Sequence, residues 1–349
     1  MHADEGEVEN FVQTPQRGMA AGPACVIDVS ILVSRRNLAP LAVTVAAAAC
    51  AGSAASGPAS AARQAPSASR ISNVCGLRLP PAVRGEIAFR IPAGGRAVRR
   101  ALAGGFSLCT LRRRDGTRFA ELDSDSRRRV LGLKFFRPSG VLLHSSDVSY
   151  AATAGGGGSD VKCDSSSQAS IGKVYWRKTM KWWIGATAAG VDRDAVIKAV
   201  RNAVSEWNNN INWCGIKDEA NVPAHYEGKT SSPVKYDGKN TVDWGSLKDD
   251  QDCNGALACA QNWYDEQGNP IESDIRFNTA FKWSAKGASG AYDIQTVAAH
   301  EFGHVFQLDH VTNSSKNDHT NLMWPYIDLA DSSGHKLGRG DSMADNSHY

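Results

Sequence analysis

The chain has 349 residues, which exceeds the usual size of a single domain and predicts one large domain with appended segments, or two domains. Its 39 basic and 36 acidic residues give a net charge of only +3, so the chain as a whole does not have the charge of a nucleic-acid-binding protein. The charge is unevenly distributed, with arginines crowded in the first half and acidic residues and tryptophans in the second.

The first predicted element is an export signal at residues 34–61. A pair of arginines at 35–36 precedes the apolar run 41–49, and the small residues ending at 59–61 resemble a signal-peptide cleavage site. Paired arginines also suggest a twin-arginine signal, although two basic residues suit an ordinary signal peptide as well. The apolar run is too short and too rich in alanine for a stable membrane span, so the sequence predicts a secreted protein.

Residues 1–33 precede this signal, whereas an export signal ordinarily opens the chain. We interpret them as an upstream extension that a product starting near Val33 does not contain. Cys50 gives an alternative localisation, because it follows three alanines and would anchor an exported protein through an attached lipid. N-terminal sequencing of the exported protein separates these interpretations.

Residues 62–159 are basic and have poor hydrophobic periodicity, so they are predicted to be a poorly structured propeptide or linker. Their arginines cluster at 96–100, 112–114 and 127–129. Such clusters can bind nucleic acid or another anionic surface, but no aromatic interleaving supports base stacking, so no nucleic-acid partner is predicted. The glycines at 155–158 mark a flexible join, and we place the domain boundary near residue 160.

The sequence changes character in residues 160–349, which we predict to form the functional domain. Residues 173–176 and 180–184 are rich in aromatic and β-branched side chains, as is typical of strands. Asp192 is a suitable N-cap for a helix whose apolar face includes Val196 and Trp207.

Four cysteines lie beyond residue 160, and an even number in an exported domain predicts two disulfides. Four cysteines allow three pairings. We favour Cys253 with Cys259, which closes a short loop, and Cys163 with Cys214. A structural zinc site is the competing interpretation, and it is less favoured because the chain has no Cys-x-x-Cys pair.

A metal site is predicted at His300-Glu301-Phe302-Gly303-His304. Asp293 can cap the helix that contains this segment, and residues four apart on a helix lie on one face, so the two imidazoles can bind one zinc ion. Glu301 lies beside the first ligand and can take a proton from a metal-bound water. The alternative is a chance pattern of solvated charges on a helix.

His310 is the candidate third ligand. On a continued helix it would lie about 15 Å along the axis, so the helix must end soon after His304 and the chain must reverse direction. The reversal falls at Gln307, where a left-handed backbone conformation costs a residue other than glycine roughly 1 kcal/mol. Three histidines would leave a fourth metal position open for water.

The segment from His300 to His310 resembles the metzincin signature His-Glu-x-x-His-x-x-Gly-x-x-His, with Gln307 in place of the glycine. Residues 321–326, Asn-Leu-Met-Trp-Pro-Tyr, resemble the Met-turn of the matrixin branch, with Met323 beneath the metal ligands. The resemblance implies an α/β (α+β) catalytic domain. Its twisted, mostly parallel sheet would carry an active-site helix and a second long helix, with a small C-terminal subdomain after the third histidine.

The resemblance also implies the function: a secreted, monomeric zinc endopeptidase, with one catalytic zinc ion and a protein or peptide as substrate. Tyr326 is expected to shape the floor of the substrate pocket. Residues 256–260 resemble the edge strand of the matrixin cleft, to which an extended peptide can add as a further strand. Because Cys259 stands where many matrixins have a histidine, no second zinc site is predicted.

Family members often bind calcium, and the candidate ligands here are Asp265, Glu266, Asn269 and Glu272. They follow no recognisable loop pattern, so a solvated hairpin tip is favoured. Two further alternatives remain at the zinc site. One is an inactive binding protein in which Gln307 distorts the third ligand, and the other is a protease of a different clan whose third ligand is Asp318 or Asp328.

Overall fold

Inward-facing and outward-facing side chains alternate along several of the strands described below. The structure, a computed structural model, describes residues 73–74, 77–78, 96–102, 105–152, 163–169, 174–220, 224–248, 250, 252–311 and 318–349. The strands are β1 (Asn73–Val74), β2 (Leu77–Arg78), β3 (Arg96–Ala101), β4 (Ser107–Arg112), β5 (Arg118–Ser124), β6 (Val130–Phe136), β7 (Leu142–Ala151), β8 (Met180–Ile184), β9 (Ala224–Lys229), β10 (Asn240–Gly245), β11 (Ala258–Tyr264), β12 (Pro270–Asn278), β13 (Trp283–Ser284), β14 (Tyr292–Asp293) and β15 (Tyr326–Ile327). The α-helices are α1 (Arg193–Asn208), α2 (Ile294–Val305) and α3 (Arg339–His348).

The strands beyond residue 160 form the sheet that the sequence predicts. They lie in the order β11, β12, β10, β8, β9, and every neighbouring pair is parallel except β11 with β12. Parallel strands need a crossover connection, and α1 supplies it between β8 and β9. The predicted α/β class, with a mostly parallel sheet in this part of the chain, is confirmed.

The prediction of a poorly structured segment is wrong for residues 96–102 and 105–151. These residues form β3 to β7, a run of antiparallel strands that continues the sheet through the pairing of β7 with β11. With them the sheet contains more antiparallel than parallel pairs. Strand β11 was expected to have a free edge, and β7 occupies that edge. Residues 60–349 belong to one compact unit, which is not divided near residue 160.

Two features of the sequence hid these strands. The arginine clusters fall largely at strand ends and in the turns at 113–116 and 126–129, so they separate short apolar segments that alternate correctly within themselves. Strand β7 buries polar residues beside the apolar Val148 and Tyr150. These polar residues include Ser145, Asp147 and Ser149, so the pattern does not look like that of a core strand.

The helices begin where the capping residues predict. Asp192 accepts a hydrogen bond from the Ala195 amide (2.8 Å), and Asp293 accepts one from the Thr296 amide (2.9 Å). Such a cap stabilises a helix by about 1 kcal/mol. Trp207 connects α1 to α2, because its indole nitrogen donates to the Ala299 carbonyl (2.8 Å) inside the main apolar core.

Both favoured disulfides are present in the structure. Cys163–Cys214 joins the segment before β8 to the loop after α1, and Cys253–Cys259 closes the short loop that leads into β11. Cys109 is also disulfide-bonded.

Several predictions fall outside the described residues: the extension 1–33, the signal 34–61 with Cys50, and the glycines 155–158. Among the helices that the structure does describe, none is long and apolar enough to cross a membrane.

Candidate metal centre

The chain reversal predicted at Gln307 is present and forms the end of α2. Gln307 has a φ of 71°, its amide donates to the His304 carbonyl (2.9 Å), and the Leu308 amide donates to the Gly303 carbonyl (3.0 Å). This pair of bonds is the Schellman arrangement that usually uses glycine. The glutamine side chain has its own role, because its Oε1 accepts from the Tyr264 hydroxyl (2.7 Å) and its Nε2 donates to the Val305 carbonyl (2.9 Å).

The reversal brings three imidazoles together. The Nε2 atoms of His300 and His304 are 3.1 Å apart, and the Nε2 of His310 lies 3.3 Å from the first and 3.1 Å from the second. The Nδ1 of His300 donates to the Leu322 carbonyl and the Nδ1 of His304 to the Leu308 carbonyl, both at 2.7 Å. These bonds fix the tautomers, so the lone pairs on Nε2 of both rings point toward the shared space.

This geometry fits a zinc ion. Nitrogens about 3.2 Å apart surround a point about 1.8 Å from each, which is close to the 2.0–2.1 Å at which imidazole nitrogen binds zinc, so these three rings could hold one ion. Among the described residues, His300, His304 and His310 are the group of His, Cys, Asp or Glu side chains whose ligand atoms lie close enough together that they could hold one metal ion.

Burial favours the neutral imidazoles that metal binding requires. His300, His304 and His310 are between 0% and 8% exposed. Burial lowers the pKa of His300 to about 3 and that of His304 to about 4, and it lowers the pKa of His310 well below its usual value. Neutral rings are the metal-binding form, so the triad needs no deprotonation near neutral pH.

Glu301 is fully buried beside the triad. Its Oε1 accepts a hydrogen bond from the Ser149 hydroxyl of β7 (2.5 Å), and its Oε2 has no hydrogen-bond partner within the described residues. Burial raises the pKa of Glu301 to about 8, and the bond from Ser149 acts in the opposite direction. A carboxyl group with a raised pKa and a free oxygen is suited to exchanging protons with a neighbouring molecule.

Met323 lies beneath the triad, against α2. A Cβ atom on Gly303 would meet its sulfur at 2.2 Å, so the helix needs a glycine between His300 and His304. Asp341 of α3 holds this turn by accepting from the amides of Leu322 (2.6 Å) and Met323 (3.1 Å). Since the Leu322 carbonyl orients His300, Asp341 acts on the metal site indirectly. Sequence reasoning missed this role, because no local pattern connects Asp341 with a turn 18 positions earlier in the chain.

Tyr326 is placed on β15, next to β7. Its hydroxyl donates to Asp125 (2.8 Å), and the Arg129 guanidinium lies over its ring at 4.9 Å. The residue expected to shape the pocket is thus in contact with the upstream segment.

The other histidines and acids near the motif are placed elsewhere. Asp318 and His319 lie in a short 3-10 turn, and neither they nor Asp328 join the metal cluster of the described residues. His335 pairs with the helix cap Asp293 (2.7 Å). The geometry therefore gives no support for an acidic third ligand.

The four candidate calcium ligands are not gathered into one site. Asp265 accepts from the amide and side chain of Asn269 and so closes the hairpin turn itself. Glu272 accepts from the backbone amides at 237–238. No calcium cluster that includes Glu266 occurs among the described residues.

Four features together define the metzincin class: a helix with two buried imidazoles, a chain reversal, a third imidazole and a turn that contains a methionine. The family model described as matrixin matches residues 175–349, half of the chain. The chain belongs to the matrixin family, a family of metalloproteases.

Two curated relatives show how far the likeness extends. Matrix metalloproteinase-B of Caenorhabditis elegans is 27% identical over 167 residues, which cover 42% of this chain and 30% of that protein. Matrix metalloproteinase-20 of Homo sapiens is 27% identical over 175 residues, which cover 49% of this chain and 31% of that protein. The chain thus spans about three tenths of the length of these relatives.

Proposed function

We propose that this chain is a secreted zinc endopeptidase whose metal ligands are His300, His304 and His310 and whose general base is Glu301. The observation that supports this most is the convergence of three Nε2 atoms within 3.1–3.3 Å of one another, directly beside a buried carboxyl group. The same convergence argues against a binding protein in which Gln307 has displaced the third histidine.

The chemistry that a zinc ion supplies here, when bound, is a water ligand with a pKa of about 7 and polarisation of the scissile carbonyl. Glu301 takes a proton from the attacking water and passes it to the nitrogen of the departing amine. Its burial keeps bulk water away from the carboxyl group, so the proton goes to the substrate instead of the solvent.

The remaining contacts hold these groups in position. Leu322 and Leu308 fix two imidazoles through backbone carbonyls, and Asp341 fixes the segment that contains Leu322. Such supporting bonds typically contribute 10- to 100-fold to metal affinity. An extended peptide would add to β11 at the edge that β7 occupies in this structure, so it would have to replace β7 there.

We also propose export through the signal 34–61 and action as a monomer. Family membership supports an extracellular location, because matrixins are mostly secreted or extracellular. Calcium is not part of this proposal.

The test compares the full chain with its Glu301→Gln and His310→Ala variants, measuring bound zinc and cleavage of casein. Glu301→Gln should keep one zinc ion per chain and lose cleavage. His310→Ala should lose both, with zinc binding weakened by at least about 100-fold. Cleavage by Glu301→Gln at the parent rate, or a parent protein that binds no zinc, would falsify the proposed function.

A further inference from the structure

A groove lies outside the metal triad, at the edge of the sheet where the parallel strands β8, β10 and β12 begin. Its volume is about 530 Å³, which is within the range of roughly 300–1,000 Å³ that is typical of ligand-binding clefts. One wall is the segment 176–179 before β8, and the other is the hairpin turn 265–269 with the first residues of β12. Its described lining residues all lie between 176 and 271, so the upstream strands β3 to β7 do not close it.

Both walls of this groove are held in place by hydrogen bonds. The Trp176 indole donates to the Val305 carbonyl at the end of α2 (2.9 Å), which fixes the first wall to the active-site helix. The Arg177 guanidinium donates to the side-chain oxygen of Asn269 (2.8 Å), so the two walls are joined directly. Asp265 closes the hairpin turn by accepting from the amide and the side chain of Asn269. The shape of the groove therefore does not depend on a ligand.

The groove is surrounded by cationic side chains. Arg177, Lys178 and Lys181 line it, and the Lys239 ammonium lies 5.9 Å from the centre of the Trp183 ring, which is also part of the lining. Lys181 forms an ion pair with a neighbouring glutamate. Within the part of the chain that the structure describes, no carboxylate pairs with the other three cations. The chain as a whole is almost neutral, so this is a local excess of positive charge that favours an anionic ligand.

The floor of the groove is apolar. Trp183 and Ile271 lie on it, and Ile271 is 43% exposed although it is a large aliphatic residue. Met180 and Pro270 are buried beneath them. A ligand that has both carboxylates and apolar groups can use the rim and the floor at the same time, as an extended peptide with acidic and aliphatic side chains would.

The groove continues the course of a peptide bound along β11. In this structure β7 has that position, and its His144 lies opposite the last residue but one of β11. Further toward the N-terminus, Val141 reaches the hairpin turn, since a Cβ atom on Gly268 would lie 3.1 Å from its side chain. Ser149, which follows Val141 by eight positions, contacts Glu301. A peptide that replaces β7 and runs in the same direction therefore reaches the wall of the groove about eight residues before the catalytic group.

We propose that this groove is a second substrate-binding site of the protease, which takes an acidic and partly apolar segment of the substrate that begins about eight residues before the cleaved bond and extends toward the N-terminus. This inference rests on the proposed function. It names the class of substrate: proteins with such a segment upstream of the cleaved bond.

The first measurement uses the zinc-free full chain, so it does not depend on catalysis. The probe is a fluorescein-labelled peptide of about ten residues in which glutamate and leucine alternate, and its binding is followed by fluorescence anisotropy. The parent should bind it, and the binding should weaken as sodium chloride is added because exposed charges are screened. The same peptide with lysine in place of glutamate should not bind.

The variant for this measurement carries Lys178→Glu and Lys239→Glu together. It should bind the acidic peptide at least about tenfold more weakly than the parent, because two attractions become repulsions. Both lysines are exposed, so the variant should unfold in urea at the same concentration as the parent. Lys198→Glu is the matched control, since Lys198 is exposed on α1 outside the groove, and it should bind within about twofold of the parent.

The second measurement uses the zinc-loaded full chain and a casein peptide that it cleaves. The peptide is extended so that a glutamate-rich or a lysine-rich segment precedes the cleaved bond by about eight residues. The glutamate-rich extension should raise kcat/KM at least about fivefold through a lower KM with kcat unchanged, because the groove is remote from the reacting atoms. The double variant should lose this gain and cleave the unextended peptide at the parent rate, and Lys198→Glu should keep the gain.

The results separate this inference from the proposed function. Equal binding of the acidic peptide by the parent and both variants overturns the inference, and so does a kcat/KM that the glutamate-rich extension leaves unchanged. With the unextended peptide still cleaved, either result leaves the endopeptidase proposal standing. Binding of heparin without binding of the acidic peptide assigns the groove to a sulfated polysaccharide and also overturns the inference. Absence of cleavage by the zinc-loaded parent contradicts the proposed function itself, and this inference with it.

Discussion

The glutamine at the chain reversal can be tested by replacing it with the residue that the metzincin signature has there. Gln307→Gly relieves a left-handed conformation that costs roughly 1–2 kcal/mol. It also removes two side-chain hydrogen bonds, to Tyr264 and Val305, each of which contributes about 0.5–1.5 kcal/mol. A glycine also raises the backbone entropy of the unfolded chain, which lowers the stability of the fold by about 0.5–1 kcal/mol.

The losses should exceed the gain, so Gln307→Gly is expected to lower the free energy of unfolding by about 1 kcal/mol. The cost stays modest because the former partners keep other bonds. The Tyr264 hydroxyl still contacts Ser145 (3.1 Å), and the Val305 carbonyl still accepts from Trp176 (2.9 Å). The substitution therefore leaves neither the Tyr264 hydroxyl nor the Val305 carbonyl without a partner.

The assay is urea unfolding of zinc-free protein for Gln307→Gly, Tyr264→Phe and the double variant. The cycle should give a coupling free energy of about 1 kcal/mol between the two residues. Ala330→Gly is the matched control, because Ala330 has a φ of 58° but only a methyl group to lose, and it should be neutral or stabilising. Stabilisation of 1 kcal/mol or more by Gln307→Gly would refute the account of the glutamine.

Three further predictions concern buried residues on the three α-helices. Gly303→Ala should destabilise the fold by about 1–3 kcal/mol and weaken zinc binding, because the added methyl group collides with Met323. Urea unfolding and zinc affinity measured by chelator competition test this, and no change in either would contradict it. Asp341→Asn should weaken zinc binding by about 10-fold or more, because Asp341 holds the turn whose Leu322 carbonyl orients His300. The measurement is competition with a chelator, and an unchanged affinity would show that Asp341 does not have this role. Burial raises the pKa of Glu206 to about 9, so between pH 4.5 and 8 the carboxyl group is protonated in the folded protein and ionised in the unfolded one, and stability falls as pH rises. Glu206→Gln should therefore stabilise the protein by about 2–5 kcal/mol at pH 8 and not below pH 4 in urea unfolding, and a gain independent of pH would disprove the assignment.

The parts of the fold that were predictable from the sequence depend on local patterns. Asp192 and Asp293 cap helices whose apolar stripes follow directly after them. Two local features were enough to predict the triad: two histidines four residues apart on a helix, and one chain reversal before the third. The reversal was predictable because the fixed rise per residue of a helix would otherwise place the third histidine too far along the axis. The disulfides followed from the number and separation of the cysteines.

The parts that were missed depend on contacts between residues far apart in the chain. Lys134 and Asp309 are separated by 175 positions, and nothing in either neighbourhood indicates the ion pair. Strand β7 is stabilised by polar contacts such as that of Ser149 with Glu301, 152 positions away, so its apolar periodicity is weak. Asp341 likewise acts on a turn that precedes it by 18 positions.

The most direct test of the metal centre is X-ray absorption at the zinc edge of the full chain loaded with one equivalent of zinc. The account predicts three imidazole nitrogens at about 2.0–2.1 Å, with no sulfur neighbour at about 2.3 Å, and loss of one imidazole in His310→Ala. A parent spectrum with sulfur ligands, or one that His310→Ala leaves unchanged, would contradict the convergence of the three histidines on one ion.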